Sequence, residues 1–232
     1  MAAQDWMRHL ARWHIWLGWL VGIPIVMWTL SGLVMVARPI EEVRGEHLRE
    51  PVEKAALPAD TNIAIALPEG SDRPVRSVST MMEGRQPVTT ITYMNGAIER
   101  FGPEGTQLPL IGEVQARLIV AQRIKGGDAV AGSTFFSADN APFDFRRPIA
   151  SWQVELEDGT HVYINQQTGE IAAVRTRWWR IFDFMWGLHI MDISEREDTS
   201  HPILIAFAAL ALTGSIFGCV LMFRRRKARA HA

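Results

Sequence analysis

Ile15–Ala37, IWLGWLVGIPIVMWTLSGLVMVA, contains 23 residues and no charged side chain. As an α-helix rising 1.5 Å per residue it reaches about 35 Å, enough to cross a hydrocarbon core of about 30 Å with some tilt. Pro202–Phe223, PILIAFAALALTGSIFGCVLMF, repeats the pattern over 22 residues. A buried helix of a soluble protein is rarely apolar on every face for so long. Both runs therefore predict transmembrane helices, placed at 13–37 and 202–223. A cleaved signal peptide is the competing reading of the first run. The stretch is too long for one, and it holds Pro24, Trp16, Trp19 and Trp28.

Charge at the flanks orients the pair. Arg8 and Arg12 precede the first run, and Arg224, Arg225, Arg226, Lys227 and Arg229 follow the second. The inner flanks mix signs: Glu41, Glu42, Arg44 and Glu46 on one side, Glu195, Arg196, Glu197 and Asp198 on the other. Basic residues stay in the cytoplasm, so residues 1–12 and a basic tail at 224–232 are expected inside and the middle of the chain outside. Eight of the nine tryptophans fall in or beside the apolar segments, as indoles do at bilayer interfaces. The net charge of −1 gives no reason to expect a nucleic-acid partner, and the lone Cys219 permits no intrachain disulfide.

Between the runs, 38–175 reads as an α+β domain. Asn95-Gly96 and Asp158-Gly159 each sit between strand-like segments, Thr89–Met94 with Ala97–Phe101 and Trp152–Glu157 with Thr160–Asn165. Both dipeptides suit a type I′ hairpin turn. Their separation of 63 residues suggests a diverged two-lobe duplication. Ile111–Lys125 has helical spacing at Ile111, Val114, Leu118 and Ile119 and a stop at Gly126-Gly127. Gly126–Arg147 reads as a polar connection, and Pro51–Pro74 as a helix or loop. The aromatic RWWRIFDFMWGLHIMD, within 176–192, is too short to span and reads as an interfacial helix on the outer leaflet; a segment dipping between the spans is the alternative.

Motifs for hydrolysis, nucleotide binding and cysteine-held metals are absent from the sequence, so those chemistries are not expected. The histidines offer more. His14 shares a helical face with Gly18 and Gly22, and a glycine one turn from a histidine lets a flat macrocycle approach the backbone. The same glycines also read as a helix-packing motif, with Gly214-x-x-x-Gly218 as its complement. His189 is read as a hydrogen-bonded interfacial residue or a ligand. Asp192 and His201, with the acids between them, are weak candidates for a metal site against the plainer reading of a solvated loop.

Arg12–Met35, RWHIWLGWLVGIPIVMWTLSGLVM, resembles the first helix of the PepSY-associated transmembrane family in His14, Gly18, Ser31-Gly32 and the preceding arginine. Trp152–Ile171, WQVELEDGTHVYINQQTGEI, resembles that family's periplasmic hairpin, and Leu188-His189 followed by an apolar span and RRRK resembles its closing helix. The resemblance implies a multi-pass bacterial inner-membrane protein with both termini cytoplasmic and a periplasmic PepSY-like α+β domain. It also implies a link to iron and siderophore uptake, as a haem-linked ferric-siderophore reductase or its accessory subunit. Haem b would be the cofactor, with His14 and His189 as ligand positions and Gly18 clearing space. Larger members have about four spans where this sequence has two, so a homodimer or another membrane subunit is the expected partner besides the bilayer. The alternative is a non-catalytic, membrane-anchored module that binds a periplasmic peptide or restrains a peptidase.

Overall fold

The computed structural model describes residues 2–51, 55–59, 61 and 73–229, so most of the expected helix or loop at Pro51–Pro74, and the last three residues of the basic tail, lie outside the described residues. The chain forms two compact units, 1–40 with 178–232 and 41–177.

In the first unit, α1 (Ala2–Met35) is a single helix of 34 residues. The stretch expected as a separate N-terminal segment is its first three turns. Pro24 lies inside it without ending it, the missing backbone donor being the kind of defect that apolar spans accommodate. One turn, α2 (Ile40–Val43), leads into the other unit. Among the described residues two helices are long and apolar enough to cross a membrane: Asp5–Met35, mean hydropathy 1.8, and Pro202–Phe223, mean hydropathy 2.3. Only 11% and 6% of their apolar windows are buried. A core helix of a soluble protein would bury that surface, because each exposed aliphatic side chain forgoes about 1.5–3 kcal/mol of burial.

The second unit begins with a meander, β1 (Val75–Glu83), β2 (Gln86–Tyr93) and β3 (Ile98–Phe101), antiparallel in the order β1-β2-β3. Helix α3 (Glu113–Arg123) follows. A second antiparallel sheet then runs in chain order: β4 (Val130–Phe136), β5 (Ser151–Leu156), β6 (His161–Asn165) and β7 (Ile171–Arg175). The core lies between α3 and this sheet, where Ile111, Ala116, Val120 and Ile124 meet Val154, Leu156, Val162, Ile164 and Val174. On the sheet's other face, Phe145 stacks on Tyr163 with centroids 4.4 Å apart. Asp144 accepts from Tyr163 O–H at 2.5 Å and from His161 Nδ1–H at 2.9 Å.

Several expectations are corrected here. The turns are not type I′: Gly96 (φ 84°) and Gly159 (φ 78°) take positive φ, but Asn95 and Asp158 do not. Both hairpins instead close with three-residue loops, Tyr93 N–H to Ala97 O and Leu156 N–H to Thr160 O. In each, the Asn or Asp side chain accepts the amide two residues on, at 3.0 and 2.8 Å. That matches the hairpin in which a type I turn ends in a left-handed glycine. On α3 the buried face is Ala116 and Val120, while Val114 and Leu118 are exposed. The connection expected at Gly126–Arg147 contains β4, and the unexpected β1 pairs along β2; both are edge strands. With one side open to water, they carry too few apolar residues to show alternation.

The chain then enters α4 (Arg177–Ile190), turns through 191–201, and ends in α5 (Pro202–Arg229), which carries the helix past the apolar run into the basic residues. Arg38 lies over the Trp178 ring at 4.8 Å, and His189 reaches Trp28 and Ser31. The first turn of α4 thus meets the end of α1, and its last turn meets α1 some two to three turns further back. Helix α4 thus touches α1 near both of its ends.

Candidate functional site

His14 points from α1 at α5. Its Nδ1 lies 3.1 Å from the carbonyl oxygen of Gly214. A carbonyl only accepts, so Nδ1 carries the proton, and in the neutral imidazole Nε2 keeps its lone pair. The approach depends on Gly218, where an added Cβ would stand 3.0 Å from His14 Cε1 and 3.5 Å from Nε2. On the outer surface of α1, His14 also lines a groove of about 760 Å3 floored by Gly18 and Gly22 and walled by Trp19, Ile23 and Val26, reaching Leu30. A Cβ at Gly18 or Gly22 would meet nothing within 4 Å.

His189 is seated on α1 by the same means. Ser31 O–H donates to Trp28 O at 2.9 Å. Its oxygen is left to accept from His189 Nδ1–H at 3.1 Å, with Trp28 O also 3.2 Å from that nitrogen. The ring stacks on Trp28, centroids 4.6 Å apart and planes 17° apart. Its Cε1 lies 3.2 Å from where a Cβ of Gly32 would be. Again Nδ1 is committed to a neighbouring helix and Nε2 is not. The seats attach to α1 seventeen residues apart, about 26 Å along the axis, so the two imidazoles cannot share one ion.

The end of α4 that presents His189 is held by the loop behind it. Arg196 Nη1 pairs with Asp183 Oδ2 at 2.6 Å, the side chains 18% and 7% exposed. Its stem crosses Gly187, where a Cβ would stand 2.7 Å from Arg196 Cγ. Trp186 Nε1–H donates to Arg196 O at 3.0 Å. Asp192 gathers the amides of Glu195, Glu197 and Asp198 and the Ser194 hydroxyl, at 3.1–3.2 Å. Burial works against its charge, but those donors more than offset it and hold the carboxyl well below the usual carboxylate range.

A model of the family described as PepSY-associated TM region matches residues 11–232. The chain belongs to the PepSY-associated transmembrane family. No curated protein and no solved structure matches it. The match takes in both long apolar helices and the α+β unit between them, so this PepSY-family chain is a membrane protein with two candidate spans.

Two expectations about sites change. Gly18 and Gly22 do not pack against Gly214 and Gly218: the first pair faces open space, while the second approaches Leu17 and His14. Helices α1 and α5 meet across the α5 glycines, and the α1 glycines are left over. Asp192 is also poorly placed as a metal ligand, because amide and hydroxyl donors already engage both of its oxygens. Among the described residues no group of three or more His, Cys, Asp or Glu gathers for a metal ion. His201 stands at the start of α5 with a buried Nδ1 that has no hydrogen-bond partner among the described residues. The residues that reasoning from spacing missed are Trp28, Gly187, Asp183 and Arg196. Only the glycine inside a helix, Gly187, carries a local signal, since mid-helix glycine is unfavourable unless something packs there.

Proposed function

We propose that this PepSY-family protein serves iron acquisition in the bacterial inner membrane as a haem-linked component, either a small ferric-siderophore reductase or the accessory subunit of one. What carries the reading is the His14 seat, an imidazole whose Nδ1–H is fixed by a carbonyl, on a residue that lines an apolar groove with a glycine floor. These residues fit haem b. A Cβ at Gly18 or Gly22 would project into the groove, its walls are apolar, and a second-partner bond at Nδ1 is the usual support for a ligating histidine. The group would supply a one-electron iron couple. His14 would hold it, and Gly214 would keep the imidazole in the ligating tautomer.

His189 is the second oriented imidazole, about 26 Å further along α1. Each position lacks an opposing histidine from within the described helix pair, so a homodimer or another membrane subunit would complete the coordination. We take both termini to be cytoplasmic and the 41–177 unit periplasmic, following the basic flanks. The decisive measurement is an absorbance spectrum of the full chain, purified in mild detergent after haem-replete expression, before and after dithionite. The expected result is a Soret band and reduced α-band that His14→Ala diminishes. A colourless unaltered protein would end the haem reading.

A further inference from the structure

The free edge of the β1-β2-β3 sheet carries a cleft that the haem reading does not use. Tyr93 N–H bonds Ala97 O at 2.9 Å, which makes these two a bonded pair of the β2–β3 ladder. Bonded and non-bonded pairs alternate in an antiparallel ladder. Ile98, opposite Thr92, and Arg100, opposite Thr90, therefore turn their main-chain groups away from β2. The returning chain takes up one of them: Leu108 N–H donates to Arg100 O at 2.7 Å. Pro109 then has no N–H to continue, and the chain leaves so that Ile111 N–H can bond Gln166 O at 2.8 Å.

The main chain of Ile98 is thus left facing an opening of about 340 Å3, lined by Ile98, Arg100, Leu108, Pro109, Leu110 and Gln167, among others. Among the described residues nothing pairs with that stretch of edge. The size is at the lower end for ligand sites and suits a short chain segment. A buried donor is available there too. Arg100 is only 6% exposed; its Nη2 pairs with Glu83, and among the described residues its Nε–H has no acceptor. Glu99, which also lines the cleft, does not oppose an anion with a free charge, because Tyr93 O–H donates to it at 2.7 Å and Arg73 at 2.9 Å. Leu110, 56% exposed, and Leu108 give apolar surface beside the open edge.

We propose that this cleft binds an extended peptide bearing a carboxylate, which adds a strand at Ile98 and directs its carboxylate toward Arg100. Backbone pairing supplies affinity and the cleft side chains supply selection, as in other strand-addition sites. The site is independent of whether either histidine holds haem.

The test uses the isotope-labelled full chain in nanodiscs and the acetylated peptide Val-Thr-Val-Asp with a free C-terminus. Saturable amide shifts are expected at Ile98, Arg100, Leu108 and Leu110. Methylating the two central peptide nitrogens should weaken binding about tenfold, the loss expected from one to two backbone bonds. The Val-Thr-Val-Asn amide should weaken it about fivefold or more. Arg100→Gln breaks a buried pair and endangers the fold, so Leu110→Asp and Gln167→Ala carry the mutational arm. Leu110→Asp should weaken binding at least about fivefold, by placing an acid beside the bound carboxylate, and Gln167→Ala should weaken it measurably, both with an unchanged melt. No saturable shift, shifts confined to other surfaces, or equal affinity for the N-methylated peptide would each overturn the proposal.

Discussion

His14 and His189 are seated alike and surrounded differently. Each gives its Nδ1 proton to an acceptor on a neighbouring helix, and each lays Cε1 over a glycine of that helix, Gly218 in one case and Gly32 in the other. His14 then opens on a groove of about 760 Å3, whereas His189 is stacked against Trp28. The glycine under an imidazole lets two helices approach; a glycine beside it leaves room for a flat group. Only the His14 side has both kinds. Orientation and room are separate requirements, and this chain meets them with different glycines.

The largest expected effect separates those two roles. Gly18→Leu with Gly22→Leu projects side chains into the groove, and neither added Cβ meets an atom within 4 Å. On the haem reading, haem retention should fall at least about tenfold while the helix pair melts as before, because the added side chains would occupy the space left for the ring. Unchanged haem content would show that the groove is not the bed and would remove the distinction between the seats. Next comes the support of His189. Asp183→Ala removes the carboxylate paired with Arg196 at 2.6 Å and should destabilise the C-terminal end of α4 by up to about 3 kcal/mol, read by denaturant titration of α4 tryptophan fluorescence. His14-linked absorbance should not change. Within the seat itself, Gly32→Val should cost about 1–3 kcal/mol by forcing His189 outward. Ser31→Ala should cost about 1 kcal/mol, as Trp28 O remains to accept. If both changes are silent, His189 is not held by α1.

The legible parts of this molecule are those that a long or local pattern specifies. Two uninterrupted apolar runs could be little else than spans, and Asn95-Gly96 and Asp158-Gly159 placed both hairpins correctly although their turn type was misjudged. Edge strands β1 and β4 were hidden because a strand half open to water needs little apolar alternation. The glycines show the limit most clearly. Gly18-x-x-x-Gly22 and Gly214-x-x-x-Gly218 look alike as sequence, yet one is a surface and the other a contact. Which face of α1 turns toward α5 is decided by tertiary packing, including where His14 and Leu17 fit, and no spacing rule contains that. The Asp183–Arg196 clamp joins residues 13 apart across a turn whose left-handed corners are Met191 and Arg196 rather than glycines, so the usual marker of such a turn was missing.

The smallest effect concerns the loop behind His189, and its sign follows from Asp192. The folded carboxyl titrates below its ordinary value, so the charged form is favoured by folding. The stability it contributes is therefore complete above the unfolded value of about 4 and drains away as pH falls from there toward the folded value. Between pH 5 and 8 the loop should hold constant order. Below about pH 4 it should loosen, and the His189 seat with it, while the His14 seat, which has no such dependence on Asp192, keeps its geometry. Asp192→Asn removes the charge at every pH, so its loop should be looser than the parent at pH 7 and show no further acid step from this position. Hydrogen exchange at the amides of Glu195, Glu197 and Asp198, compared between parent and variant at each pH, reads the difference directly. Equal protection in the two proteins at pH 7 would mean that the amides are held by the turn alone, and that the charge of Asp192 plays no part in presenting His189.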